Sequence, residues 1–296
     1  MSMTGSPLGD ELIQSSSRLK NINATTLPKP ARTRIISVSN QKGGVGKTTS
    51  TVNLAASLAG KGLKVLVIDL DPQGNASTAL GIDHQEGTLG IYEVLIEGAA
   101  IKDALQISPE NPNLSCLPAT IDLAGAEIEI VTAFERENWH ALLKTAIDAY
   151  LAENPGLDYI FIDCPPSLGL LTVNAFVAAT EVLLPIQCEY YALEGLSQLL
   201  RNIERIQQAL NPQLVLSTIL LTMYDSRTKL ASAVVDDVRT HFPAQTLNAV
   251  IPRNVRVSEA PSFGRTVITH DKSSVGSLAY LEAAIEIAQK GAQNGR

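Results

Sequence analysis

Between two apolar stretches the chain reads Gln41-Lys42-Gly43-Gly44-Val45-Gly46-Lys47-Thr48-Thr49. Gly43, Gly44 and Gly46 carry no Cβ, so the backbone can turn its N–H groups inward and approach an anion closely. The run follows a short β-branched segment, Ile35 to Ser39, and precedes a helical pattern from Lys47 to Ala59. A helix N-terminus at that point adds partial positive charge. The chemistry that fits is the grip on a nucleotide's phosphates. Lys47 reaches the β- and γ-phosphates, and the Thr48 hydroxyl is placed to ligate Mg²⁺. The usual pattern, G-x-x-x-x-G-K-[ST], has glycine where Gln41 stands, but Gly46-Lys47-Thr48 is intact. The expected ligands are a nucleotide and Mg²⁺, held by Gly43, Gly44, Val45, Gly46, Lys47, Thr48 and Thr49.

Three carboxylates suit the same chemistry. Asp69 and Asp71 lie in Val67-Ile68-Asp69-Leu70-Asp71-Pro72-Gln73-Gly74-Asn75, and strand alternation puts both on one face. Asp163 closes the apolar run Tyr159-Ile160-Phe161-Ile162 and is followed by Cys164-Pro165-Pro166. An aspartate at the carboxyl end of an apolar strand beside a phosphate loop holds Mg²⁺ through water. The expected metal set is Thr48, Asp69 and Asp163. Capping of a strand end is the alternative for Asp69 and Asp71. Cys164 reads as a small buried hydrophobe.

Lys42-Gly43-Gly44-Val45-Gly46-Lys47-Thr48-Thr49 resembles the deviant Walker A motif of the family that includes ParA and Soj partition ATPases, MinD, the arsenite-pump ATPase and the nitrogenase iron protein. The resemblance spans about Arg34 to Gln289. It implies that Lys42 reaches across a dimer to the partner's nucleotide, so that Lys42, Lys47 and Asp71 are the catalytic residues. Asp71 would orient the attacking water, and the segments after β-strands at Asp69 and Asp163 would be the two switch loops. Met223 and Pro252 would pack on the adenine, with Asn254 bonding its polar edge.

Arg253-Asn254-Val255-Arg256-Val257-Ser258-Glu259-Ala260-Pro261-Ser262-Phe263-Gly264-Arg265 is similar to a segment of the chromosomal ParA/Soj proteins. So are Glu189 to Gly195 and Asp225 to Thr228. The resemblance implies an ATPase for chromosome or plasmid segregation. Such a protein forms a homodimer when ATP-bound, binds double-stranded DNA non-specifically, and hydrolyses ATP when a ParB-type centromere-binding protein stimulates it. Arg227 and Arg256 are the implied DNA contacts, with Lys229 and Arg265 behind them. A MinD-like membrane-associated division ATPase is the alternative, and it requires a basic amphipathic C-terminal helix. The end of this chain, Glu282 to Ala292, is Ala-rich and partly acidic, so no membrane partner is expected.

These residues need a scaffold. Apolar strands at 35–39, 65–69, 114–117, 159–163, 181–186, 215–221 and 246–250 alternate with helical patterns at 47–59, 136–151, 192–209, 230–241 and 275–289. Strands apolar on both faces and separated by helices predict an α/β fold, a mainly parallel twisted sheet flanked by helices. The chain has 296 residues, 45% of them hydrophobic, which suffices for one large core. Its net charge of −7 excludes a globally basic coat for nucleic acid, so DNA contact must come from a local patch. Residues 253–272 supply one, with four basic and two acidic side chains. Aromatics at 4% argue against base-stacking platforms. The three cysteines are scattered, which fits a reducing compartment. The expectation is a cytoplasmic, nucleoid-associated protein. Residues 1–33, rich in Ser, Thr, Asn and Pro, are expected to be a disordered extension, the alternative being a short helix near Glu11 to Arg18. Residues 34–296 are expected to form the ATPase domain.

Overall fold

The computed structural model describes residues 7–132, 138–189, 192–293 and 295. Among them, eight strands form one sheet: β1 (Arg34–Val38), β2 (Val65–Asp69), β3 (Gln106–Ile107), β4 (Leu114–Leu117), β5 (Tyr159–Asp163), β6 (Glu181–Gln187), β7 (Val215–Tyr224) and β8 (Thr246–Pro252). Their spatial order is β3-β4-β2-β5-β1-β6-β7-β8. All neighbours run parallel except the edge pair β3 and β4.

The helices are α1 (Pro7–Ala24), α2 (Lys47–Ala59), α3 (Asn75–Ala79), α4 (Ile101–Ala104), α5 (Leu123–Thr132), α6 (Leu142–Glu153), α7 (Leu170–Ala178), α8 (Ala192–Ala209), α9 (Lys229–His241), α10 (Val255–Glu259), α11 (Val267–His270) and α12 (Val275–Gln293). Strands β1, β2 and β5 are buried at every position. Alternation divides their side chains between two cores. Leu66, Ile68, Ile160 and Ile162 pack with α5 to α8 on one face, while Val65, Val67, Tyr159 and Phe161 pack with α2 and α12 on the other. The α/β expectation therefore holds, and both faces of the sheet are covered.

The differences from the sequence expectation are local. The helix expected from Arg136 begins at Leu142, after a 3₁₀ turn at Trp139–Ala141; Arg136 itself lies outside the described residues. The sequence expectation does not include helices α5 and α7; the exposed Ile128 blurs the apolar face of α5. Helix α7, Leu170–Ala178, is buried along almost its whole length, and a helix apolar all round has no polar face to mark its period.

Over residues 7–24, where the sequence expectation was a disordered extension with a short helix near Glu11 to Arg18 as the alternative, the structure has helix α1. Arg18 forms a two-pronged ion pair with Glu282 of α12, at 2.9 and 2.7 Å. Lys61 donates to the Thr25 carbonyl at 2.9 Å and also to that of Ile22, covering acceptors that the end of α1 leaves open. Ile22 and Leu27 are buried. The partners that stabilise this helix lie far along the chain, so local composition does not reveal them.

At the amino end of the sheet, Arg34 and Glu181 form a buried pair, with Nε–Oε1 at 2.8 Å and Nη2–Oε2 at 2.7 Å. Arg34 Nη1 also donates to the Ile287 carbonyl of α12 at 2.7 Å. Gly291 makes room for it, since a Cβ there would collide with the guanidinium. Removing one partner strands a buried charge. Glu181→Ala is therefore expected to lower unfolding free energy by about 3–5 kcal/mol, read from the urea midpoint; an unchanged midpoint would refute the pair's role in joining β1, β6 and α12.

Candidate active site

The carboxyl ends of β1, β2, β5, β6, β7 and β8 point the same way because these strands are parallel, and the expected site residues gather there. The phosphate loop leaves β1 and enters α2. Gly44 and Gly46 take φ of +73° and +89°, a left-handed region where a side chain is strained. No side chain caps α2 at Gly46, so its first N–H groups remain available to an anion. The loop is held from neighbouring strands. Thr222 at the end of β7 donates to the Val45 carbonyl at 2.8 Å. Asn40 donates to the Pro185 carbonyl at 2.8 Å and accepts from the Lys42 amide at 3.0 Å.

Lys47 is only 7% exposed. Burial lowers its pKa from the ordinary lysine value, while the charges of Asp163 and then Asp71 pull it back up. Asp163 is wholly buried and accepts from Thr48 Oγ1 at 2.7 Å and from Thr51 Oγ1 at 2.8 Å. Burial raises its pKa, with the neighbouring charge of Asp69 acting in the same direction and the two threonine bonds opposing it. This is a carboxylate that a cation would relieve. Among the described residues no group of three or more His, Cys, Asp or Glu could hold a metal unaided. Thr48 and Asp163 do suit Mg²⁺, which takes few protein ligands and completes its shell with phosphate and water.

Asp69 lies opposite Asp163 in the β2–β5 register, but its carboxylate is already engaged. Oδ2 accepts from the Ser77 amide at 2.8 Å and the Ser77 hydroxyl at 2.7 Å, and Oδ1 accepts from the Asp71 amide at 3.3 Å. Burial raises its pKa and the Ser77 bonds counter that. As placed, Asp69 ties the loop 70–74 to α3. Asp71 opens that loop, accepting from the Gln73 amide at 3.0 Å, and its carboxylate acts on Lys47 electrostatically. Cys164 is fully buried and burial pushes its thiol up to about 12, which makes it an inert packing group.

Lys42 is half-exposed at the mouth of the loop, where Nζ meets Glu189 Oε2 at 3.1 Å. Gln187 donates to the other Glu189 oxygen at 2.6 Å. Met223 ends β7 with a left-handed φ of 51°. Pro252 pairs with Tyr224 across β7 and β8, and Asn254 caps α10 by accepting from the Arg256 amide at 2.9 Å. These three sit on the same strand-end edge as the phosphate loop.

The candidate DNA contacts are exposed and lie on turns and on the first residues of short or surface helices. Arg227, 86% exposed, forks onto Asp225 at 2.8 and 2.7 Å. Those bonds hold the Asp225 carboxyl well below the usual carboxylate range. Lys229 opens α9. Arg256 reaches Glu259 at 3.1 Å and Asp271 at 3.6 Å, and Arg265 is exposed after the 3₁₀ turn at Ala260–Phe263. Sequence reasoning missed Thr51, Ser77, Glu189 and Thr222 as partners of the site. Thr51 alone had a local signal, since it lies one helical turn from Lys47 and Thr48. Tyr190, Tyr191 and the side chains of residues 192–195, in the motif that begins at Glu189, lie outside the described residues.

Sheet order, phosphate loop and the Thr48–Asp163 pair define a phosphate-loop ATPase of the deviant Walker A class. The family model described as AAA domain matches residues 33–216. The chain is 49% identical over 258 residues to the sporulation initiation inhibitor protein Soj of Bacillus subtilis, covering 87% of this chain and 99% of that one. It is 51% identical over 257 residues to the chromosome partitioning protein ParA of Myxococcus xanthus, covering 87% and 88%. The chain belongs to the ParA/Soj family of chromosome-partitioning ATPases. Among solved structures, it is similar to cobyrinic acid a,c-diamide synthase of Mycobacterium smegmatis with bound ATP analogue and magnesium, at TM-score 0.74, 37% identity and coverage of 89% and 97%. It is also similar to the septum site-determining protein MinD of Pyrococcus horikoshii with Mg-ADP, at TM-score 0.66, 27% identity and coverage of 86% and 96%.

Proposed function

We propose that this chain is a DNA-partitioning ATPase that binds ATP and Mg²⁺, pairs with a second copy in the ATP state, and in that state holds double-stranded DNA without sequence preference. Its slow hydrolysis is stimulated by a ParB-type partner, and it works in the cytoplasm on the nucleoid. One observation carries this reading: two lysines of one loop occupy opposite environments. Lys47 is buried against Asp163 and Asp71 within its own chain, while Lys42 stands at the surface on an exposed ion pair that a second copy can displace. Exposed pairs are worth only about 0–1 kcal/mol, so Lys42 is released at little cost.

The residues fit the nucleotide. Backbone N–H groups of Gly43 to Thr49 and the Lys47 ammonium grip the phosphates, and Thr48 with Asp163 holds the cation. Mg²⁺, when bound, neutralises charge on the β- and γ-phosphates. Met223, Pro252 and Asn254 form the base edge of the site. Asp71 orients the attacking water and accepts its proton, and Asp69 keeps Asp71 in place through the loop amide. Residues 34–296 act as one ATPase domain.

Among the described residues no helix is long and apolar enough to cross a membrane. The basic segment supports DNA over a lipid surface because its cations, Arg253, Arg256, Arg265 and Lys272, lie on separate short elements and turns rather than along one amphipathic helix. DNA binding measured with ATP, with ADP and without nucleotide tests the proposal. Tight binding to unrelated duplexes only with ATP supports it, and nucleotide-independent binding refutes it. Arg227→Ala and Arg256→Ala are each expected to weaken all duplexes alike. Each should flatten the log–log salt dependence by about one unit for every phosphate left without its cation on each protomer. Unchanged salt slopes would move the DNA surface elsewhere.

A further inference from the structure

Helix α11 lies within the basic segment 253–272, and a buried side chain of the nucleotide helix bonds its first residue. Asn53 of α2 is 2% exposed. Its Nδ2 donates to the Thr49 carbonyl, in the phosphate loop's own turn, at 2.7 Å. Its Oδ1 accepts from the amide of Val267, the first residue of α11, at 2.8 Å. From α11 the connection continues to the surface. The Asp271 amide donates to the Val267 carbonyl at 3.0 Å, and the Asp271 carboxylate faces Arg256 Nε at 3.6 Å. The ring of His270 stacks on Phe263 at 4.9 Å.

A second support holds α11 from the opposite side. Glu110, in the turn between β3 and β4, accepts from the Thr266 amide at 2.7 Å, from the Thr266 hydroxyl at 2.8 Å and from Thr269. That turn is tied through the Ser108 hydroxyl to the Leu80 carbonyl, just beyond α3, at 2.9 Å. Of the two supports, Asn53 is the one that belongs to the nucleotide helix α2.

We infer that Asn53 is a positioning residue that couples the nucleotide state to the placement of residues 253–272; its consequence for DNA rests on the function proposed above. Phosphates drawing in the first N–H groups of α2 move the turn that carries Thr49, and Asn53 transmits the displacement to α11 and so to Arg256. The residue type follows from the two partners. A side-chain amide donates with its nitrogen and accepts with its oxygen at the same time. Aspartate would accept from Val267 but repel the Thr49 carbonyl, and leucine would leave the Val267 amide buried without an acceptor. A hydrogen bond in a low-dielectric interior is stiff, whereas the exposed Arg256 pairs beyond it yield.

Amide hydrogen exchange of residues 253–272 in the full chain, with and without ATP and Mg²⁺, tests the inference. In the parent, ATP is expected to change protection across this segment. In Asn53→Ser the serine hydroxyl can still bond the Thr49 carbonyl, as Thr51 bonds Lys47 and Ser57 bonds Asn53 itself. Only the bond to α11 is then lost. The ATP-dependent change should disappear in this variant, while titration with a fluorescent ATP analogue shows nucleotide affinity close to the parent's. Glu110→Ala should speed exchange in both states and keep the ATP-dependent difference, which separates coupling from general loosening. In DNA titrations, Asn53→Ser should lose about fivefold or more of the ATP-dependent gain in affinity, with the DNA-dependent gain in ATP affinity falling by the same factor.

A segment 253–272 that answers ATP in Asn53→Ser as it does in the parent overturns the inference. So does a parent segment with no answer at all, a measurement that needs no variant to fold. If exchange behaves as expected and no duplex binds, the coupling stands and the proposed DNA function falls.

Discussion

Replacing Lys47 by alanine is expected to abolish tight nucleotide binding while leaving the fold in place. The ammonium is buried, its pKa is already lowered by burial, and in the proposed function it meets the β- and γ-phosphates. Removing one partner of a buried charge pair costs about 3–4 kcal/mol, roughly a hundred- to thousandfold in Kd. The loss comes in part from Asp163 and Asp71, which then face the phosphates without a counter-charge. Titration with a fluorescent ATP analogue measures the effect, and far-ultraviolet circular dichroism checks the fold. An affinity equal to the parent's would refute the phosphate-loop assignment.

Asp71→Ala should fail at a later point. Asp71 acts on the site through its loop and through its field on Lys47, and its carboxylate bonds the Gln73 amide rather than a phosphate-holding group. Nucleotide affinity should therefore survive, while turnover falls by about 10²- to 10⁴-fold, the range for loss of a general base. The ATP-bound form then persists, and light scattering after ATP addition should report a stable dimer. Lys42→Ala should differ from it: both turnover and dimerisation drop, since the group removed is the one offered to the second copy. An Asp71→Ala protein that turns over ATP at the parental rate, or that stays monomeric with ATP, would overturn the assigned roles.

The chemistry of the site was legible because it is carried by contiguous residues. A glycine-rich turn followed by Lys47 and Thr48 has one physical use at a strand-to-helix junction, and an aspartate closing a run of apolar residues marks a strand's carboxyl end. The strands β1, β2, β5 and β6 were equally plain, since burial on both faces demands an unbroken apolar run. Relations between distant segments were not legible. Asp69 and Asp71 look alike in sequence, yet Asp69 spends its carboxylate on Ser77 and Asp71 opens the loop. Lys42 and Glu189 are far apart in the chain and meet because β1 and β6 are neighbours.

The amino-terminal residues show the same division most sharply. Their composition describes a segment with too little apolar surface to fold alone, and that property belongs to the sequence itself. Helix α1 exists because Glu282, Lys61 and the apolar surface around α2 and α12 are assembled by the rest of the fold. Local sequence thus determined the phosphate chemistry, the seven parallel strands and the class of fold, each encoded within about ten consecutive residues, but not the two-residue antiparallel edge strand β3. The tertiary structure decided which aspartate is committed to the loop, which lysine is exposed and where the N-terminal segment rests. Those outcomes depend on burial and on partners across the sheet, and neither is a property of any single stretch of chain.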